Sequence, residues 1–234
     1  MSSKSFKVGF FFLFMKESVK KKSNSNESLE KLKSFWKKFW FVVWKDDSFK
    51  GWIISLVFLF IVIKGVFFPL MSLATGTELP LVIVESCSMY HEDNLLSDFD
   101  DWFERHDLKY FKYKINEKTF AEFPFKKGFN KGDILFITGA DPEELEVGDV
   151  VIFNANYRNP VIHRIVDISQ EDGDYYFSTL GDNNDGQISF EKRISEDQIV
   201  GRARANIAPF LGWGKLVFFE RFRSPSERGF CEEN

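Results

Sequence analysis

The 234-residue chain has few of the side chains that catalytic chemistry most often draws on. It holds two cysteines, Cys87 and Cys231, and three histidines, His91, His106 and His163. Two widely separated cysteines make neither a disulfide framework nor a metal-ligand cluster, and the histidines are too scattered to complete one. No metal and no cofactor is therefore expected. Phosphate-cradling loops are missing as well, because the pairs Gly132-Asp133, Gly148-Asp149 and Gly181-Asp182 lack the spacing such loops need. Nucleic acid is not an expected partner.

Charge is unevenly placed. Residues 1–50 carry twelve lysines against five acids, net +7, while residues 51–234 carry 19 basic and 30 acidic residues, net −11. A lysine-rich head of this kind reads either as a solvated tail or as a surface drawn to anionic lipid headgroups.

What is plentiful is apolar sequence. Trp52 to Ala74 reads as 23 residues with one charge, Lys64. About 20 helical residues cross a bilayer core. Burying Lys64 costs on the order of 2.5–3.5 kcal/mol, and each Leu, Ile, Phe or Val returns a few tenths. The segment has enough of these to make insertion favourable, so a transmembrane helix is expected at 52–74. Pro69 is expected to kink it or end it early. The lysine excess before the span puts residues 1–51 in the cytoplasm and residues 75–234 outside. Trp36, Trp40 and Trp44 share a helical face among Lys33, Lys37 and Lys38, which suits an interfacial amphipathic helix or a partner-packing one. Val8–Met15 is too short to span and lacks a cleavage site, and Ser23–Ser28 reads as a linker.

Beyond the span, short apolar runs alternate with turn residues: Leu81–Val84, Ile134–Ile137, Val150–Phe153, Val161–Ile168, Tyr175–Leu180 and Ile199–Ala205. The pattern predicts a mainly β domain, a folded sheet or small barrel. One segment departs from it. Ser97 to Tyr113 has Ser97 and Asp100 in capping-box spacing, then Phe99, Trp102, Phe103, His106, Tyr110 and Tyr113 at steps of three and four. This predicts an amphipathic helix within an inserted region, 91–130. Its aromatic face belongs to the core, or lies on a membrane or over a substrate groove.

Ser88, in Ser86-Cys87-Ser88-Met89, follows the run Leu81-Val82-Ile83-Val84 a short way outside the span. Acyl transfer needs a nucleophile, a base within reach, a group orienting the base and donors for the oxyanion. His163 lies in the strand Val161–Val166, on the face it shares with Val161 and Ile165. An imidazole in an apolar strand must find a partner, and a carboxylate from the turn Gly181-Asp182-Asn183-Asn184-Asp185 is a candidate. Taken alone, such a histidine is as well read as structural, and the acidic run as a turn.

Together these pieces resemble type I signal peptidase, of the archaeal and endoplasmic-reticulum branch, whose general base is histidine. The resemblance rests on Ser86-Cys87-Ser88-Met89, Gly132-Asp133-Ile134-Leu135, Gly148-Asp149-Val150-Val151, Val161-Ile162-His163-Arg164 and Gly181-Asp182-Asn183-Asn184. A closing Pro209-Phe210-Leu211-Gly212 extends it, so that it covers roughly 79–216. It implies a signal-peptidase-like folded β-sheet with an inserted helical segment, tethered by one N-terminal transmembrane helix. By motif position, Ser88 is the nucleophile, His163 the base, and Ser86 an oxyanion donor with the Ser88 backbone N–H. The family places two aspartates in and after the glycine turn. Asp182 matches the first; the second falls where this chain has Ile188, leaving Asp185 as the nearest substitute. Substrates are expected to add a strand beside Leu81, Val82, Ile83 and Val84.

The implied function is removal of signal peptides from exported preproteins at a cell membrane, or at the endoplasmic-reticulum membrane in a eukaryote. Secretory preproteins, the lipid bilayer and the secretion translocon are the expected partners. Two other readings fit the same residues: a membrane serine protease with one dedicated substrate, and a non-catalytic binding module. Cys87, Tyr90 and the long insertion depart from the family pattern.

Overall fold

The computed structural model describes residues 29–92, 99–155 and 159–232. The expectations for Val8–Met15, for Ser23–Ser28 and for Ser97 as a cap lie outside those residues. The chain divides into two compact units between Phe67 and Phe68.

In the first unit, residues 29–45 form helix α1. After a turn capped by Ser48, whose hydroxyl accepts the Gly51 N–H at 3.1 Å, helix α2 begins. It runs Phe49–Thr75, 27 residues, continuing past the division at Phe67, and is long and apolar enough to cross a membrane. The Phe39 and Phe58 rings meet edge to face at 5.3 Å, and Ser55 Oγ donates to the Val43 carbonyl at 2.7 Å. Trp36, Trp40 and Trp44 are exposed. Pro69 does not end α2. A π-helical turn at Ile63–Phe67 precedes it. Proline clashes with the carbonyl four residues back and has no N–H to donate, and a π turn widens the helix just where that conflict falls.

The second unit is an open, curled antiparallel sheet of seven strands: β1 Leu81–Ile83, β2 Ile134–Thr138, β3 Val150–Phe153, β4 Val161–Glu171, β5 Asp174–Leu180, β6 Ile194–Ser195 and β7 Ile199–Ala208. Their order is β1-β2-β7-β3-β4-β5-β6. The two-residue β6 carries too little pattern to be read from sequence. Bulges interrupt the β2–β7, β3–β7 and β4–β5 ladders, and bulges bend the strands that hold them. Strand β1 pairs on one side only, with β2, so it forms an edge of the sheet.

The Gly-Asp pairs are braces. Asp133 accepts the N–H groups of Asn130 and Phe210 and the Asn206 amide, tying β2 to the segment after β7. Asp149 accepts the Glu146 N–H and pairs with Arg202 at 2.9 Å. Gly132 takes φ +92°, and a Cβ there would lie 2.2 Å from Trp213 Cδ1, so only glycine fits.

The insertion holds helix α3, Phe99–Phe111, and a single turn α4, Glu117–Phe120. Phe99, Trp102, Phe103, Tyr110, Ile115 and Phe120 form one buried cluster with Val166 of β4 and Leu180 of β5. The aromatic face of α3 is therefore core. Burying each such ring contributes about 1.5–3 kcal/mol.

Candidate active site

The turn after β1 is pinned from below. Met89 is buried in the core with Val84, Phe129 and Leu135, and the Tyr90 N–H returns to the Cys87 carbonyl at 3.1 Å. With Met89 fixed inward, Ser88 sits half-buried and Ser86 exposed. Their hydroxyl oxygens lie 3.2 Å apart. Either hydroxyl can donate to the other across that distance.

A second turn, 181–184, lies against the first. The Asn183 N–H donates to the Ser88 carbonyl at 2.8 Å. The Asn183 side-chain amide donates to the carbonyls of Cys87 at 3.1 Å and Glu232 at 3.0 Å. Cys87 is joined to Cys231 by a disulfide, Cα–Cα 5.3 Å. The wide sequence separation that argued against pairing is closed by the fold, which returns the C-terminal segment to the 86–88 turn. Lys131, itself buried, holds that segment through Glu220 and the carbonyls of Glu227 and Gly229.

His163 reaches the same turn from β4. It is buried, and a Cβ added to Gly181 would lie 2.9 Å from its Nε2. Glycine at 181 lets the imidazole edge approach the 181–184 turn, whose Asn183 N–H holds the Ser88 carbonyl. The other ring nitrogen, Nδ1, hydrogen-bonds Glu191 Oε1, a residue that sequence reasoning did not single out. Glu191 closes a 3₁₀ turn, Ser189–Glu191, and its Oε2 accepts the Ile188 N–H at 2.7 Å.

Neither expected aspartate meets that ring nitrogen. Asp182 is fully buried against Arg164, whose side chain leaves β4 on the face opposite that of His163. Arg164 donates to it from Nη2 at 2.6 Å, Tyr110 from its hydroxyl at 2.9 Å, and His91 Nε2 lies 3.0 Å from Oδ2. Arg164 also donates to the carbonyls of Pro124, Gly148 and Phe125, and lies over the Phe120 ring at 4.7 Å. Burial works to raise the Asp182 carboxyl, but the Arg164 charge and the bonds from His91 and Arg164 outweigh it and hold it well below the usual range. Burial pushes His91 down to about 4 despite Asp182. Burial, then the Asp182 charge, push the Tyr110 hydroxyl well above its usual value, so it stays a donor. Asp185 is exposed, on a cavity it lines with Arg105, His106, Lys109 and Asn184. No group of metal-ligating side chains gathers among the described residues.

No family model matches the chain. Curated relatives do. The signal peptidase complex catalytic subunit SEC11C of Homo sapiens is 35% identical over 100 residues, 38% of this chain and 50% of the relative. The sec11 subunit of Dictyostelium discoideum is 35% identical over 99 residues, 39% of this chain and 54% of the relative. The SEC11 subunit of Colletotrichum graminicola is 33% identical over 101 residues, 39% and 57%. This chain is a relative of the type I signal peptidases of the endoplasmic-reticulum branch. It spans about half the length of the curated relatives it matches. The seven-stranded sheet agrees with that kinship.

Proposed function

We propose that the protein is a membrane-anchored serine endopeptidase that removes signal peptides from exported preproteins. The observation that carries this reading is the convergence of Ser88 and His163 on the 181–184 turn, in a relative of signal-peptidase catalytic subunits.

The substrate enters extended and pairs with the open side of β1, along Leu81–Val84, where backbone hydrogen bonds supply affinity. His163 Nε2 takes the Ser88 proton as Oγ attacks the scissile carbonyl. Ser86 Oγ–H and the Ser88 N–H receive the developing oxyanion. The imidazolium then protonates the leaving amine, and water, activated by the same ring, releases the acyl group as a carboxylate. Helix α2 holds the site beside the bilayer that also holds the substrate's apolar segment, which raises the effective concentration of each for the other. The disulfide supports a domain on the oxidising side of that membrane, the endoplasmic-reticulum lumen or the cell exterior. The relatives' names describe subunits of a complex, and membrane partner subunits and the translocon are fitting neighbours for this chain too.

Ser88→Ala and His163→Ala should each lower preprotein cleavage by about 10⁴-fold or more while leaving the fold intact. Wild-type cleavage by either purified variant would remove the proposal.

A further inference from the structure

We infer that Glu191 is the positioning carboxylate of His163. The inference rests on the reading of His163 as general base, and it concerns a residue three positions beyond the one where the family's second aspartate would fall.

Four observations support it. Both side chains are nearly solvent-free, 5% exposed for His163 and 0% for Glu191. Each Glu191 oxygen has its own partner, Oε1 the imidazole and Oε2 the Ile188 N–H, so the carboxylate cannot swing away. A carboxylate only accepts, so Nδ1 must carry the proton and Nε2 is left with a lone pair beside Gly181, in the 181–184 turn that holds the Ser88 carbonyl. Finally, the nearest rival is committed elsewhere: both Asp182 oxygens are held by Arg164, His91 and Tyr110 on the opposite face of β4.

The local backbone explains how glutamate reaches this place. A 3₁₀ turn has three residues per turn, so positions i and i+3 eclipse. Glu191 therefore stacks over Ile188, and its longer side chain reaches the imidazole from one turn further along.

The test uses the full chain in detergent. Glu191→Gln keeps the size of the side chain but removes its charge. Because the Ile188 N–H needs an acceptor, the amide oxygen turns to it and the NH₂ turns to Nδ1, which favours the wrong imidazole tautomer. On a preprotein substrate, kcat should fall by about 100-fold or more, with KM within about 3-fold and an unchanged melting temperature. Glu191→Asp should recover part of the loss. ¹⁵N spectra of labelled histidine should show His163 protonated at Nδ1 in the wild type and at Nε2 in Glu191→Gln. Wild-type kcat in Glu191→Gln, or an unchanged His163 tautomer, overturns the inference. If Glu191→Gln fails to fold, Glu191→Ala, which leaves Nδ1 with no carboxylate, decides by the same two readouts. If the folded wild type cleaves no preprotein, the proposed function fails, and the tautomer comparison still judges the Glu191 contact by itself.

Discussion

Lowering the pH should loosen the second unit through one residue, His91. Its ring is 2% exposed, lies 3.5 Å from the Trp102 ring in a near-parallel stack, and holds Asp182 through Nε2. Burial lowers its value from 6.5 to about 4, with Arg164 and Lys109 adding repulsion and Asp182 opposing. The unfolded imidazole therefore binds a proton more readily than the folded one. Stability falls as pH drops from about 6.5 to about 4, and this residue costs nothing further below that. Between pH 7 and 4.5 the loss is about 2–3 kcal/mol, worth about 5–10 °C in a unit of this size. Asp182 does not mask the effect: its value is depressed, so its contribution is complete above about pH 5 and fades only at lower pH. His106 shifts in the same direction, first through burial, but is only partly covered, so its share is smaller. The assay is near-UV circular dichroism melting of the detergent-solubilised chain at both pH values, for wild type and His91→Gln. Glutamine can still donate to Asp182 but does not titrate. Equal pH-induced drops in the two proteins would refute the argument.

Two further outcomes separate the remaining groups. Asp182→Asn should destabilise the fold by about 3–5 kcal/mol, because it leaves the Arg164 charge buried without its partner, whereas Asp185→Asn should change stability by less than about 0.5 kcal/mol; chemical denaturation compares them, and a reversed order would sink the assignment. Reducing the disulfide, or Cys231→Ser, should lower stability by about 2–5 kcal/mol, since the bond closes a segment of 144 positions; an unchanged melting temperature with and without dithiothreitol would contradict it.

The strands other than β6 were legible because short apolar runs alternate with turn residues, and β3 begins and ends where its run does. The long apolar helix α2 was legible from length and composition, and α3 from its aromatic spacing. Three features were not. Glu191 sits 28 residues from His163, and only the 3₁₀ turn, which no hydrophobic period reveals, brings it back. The Cys87–Cys231 pair depends on where residues 220–231 run after α5, Trp213–Phe219, and spacing says nothing about that. Arg164 and Asp182 read as a strand arginine and a turn aspartate, and their pairing emerges only once β4 and β5 are in register, with Arg164 opposite Leu180.

That pairing gives the insertion a role. Helix α3 supplies Tyr110 to Asp182 and Trp102 to the face of His91, and His91 itself lies three residues past Ser88. Asp182 is thus gripped from the segment after Ser88, from strand β4 and from the inserted helix at once. The next residue, Asn183, holds the Ser88 carbonyl. A shift of Ser88 relative to His163 would have to break a buried, charge-assisted hydrogen bond, at a cost of about 1.5–3 kcal/mol for each one lost. The face of β4 that carries Arg164 therefore ties the Ser88 turn to the insertion, while His163 on the other face pairs with Glu191.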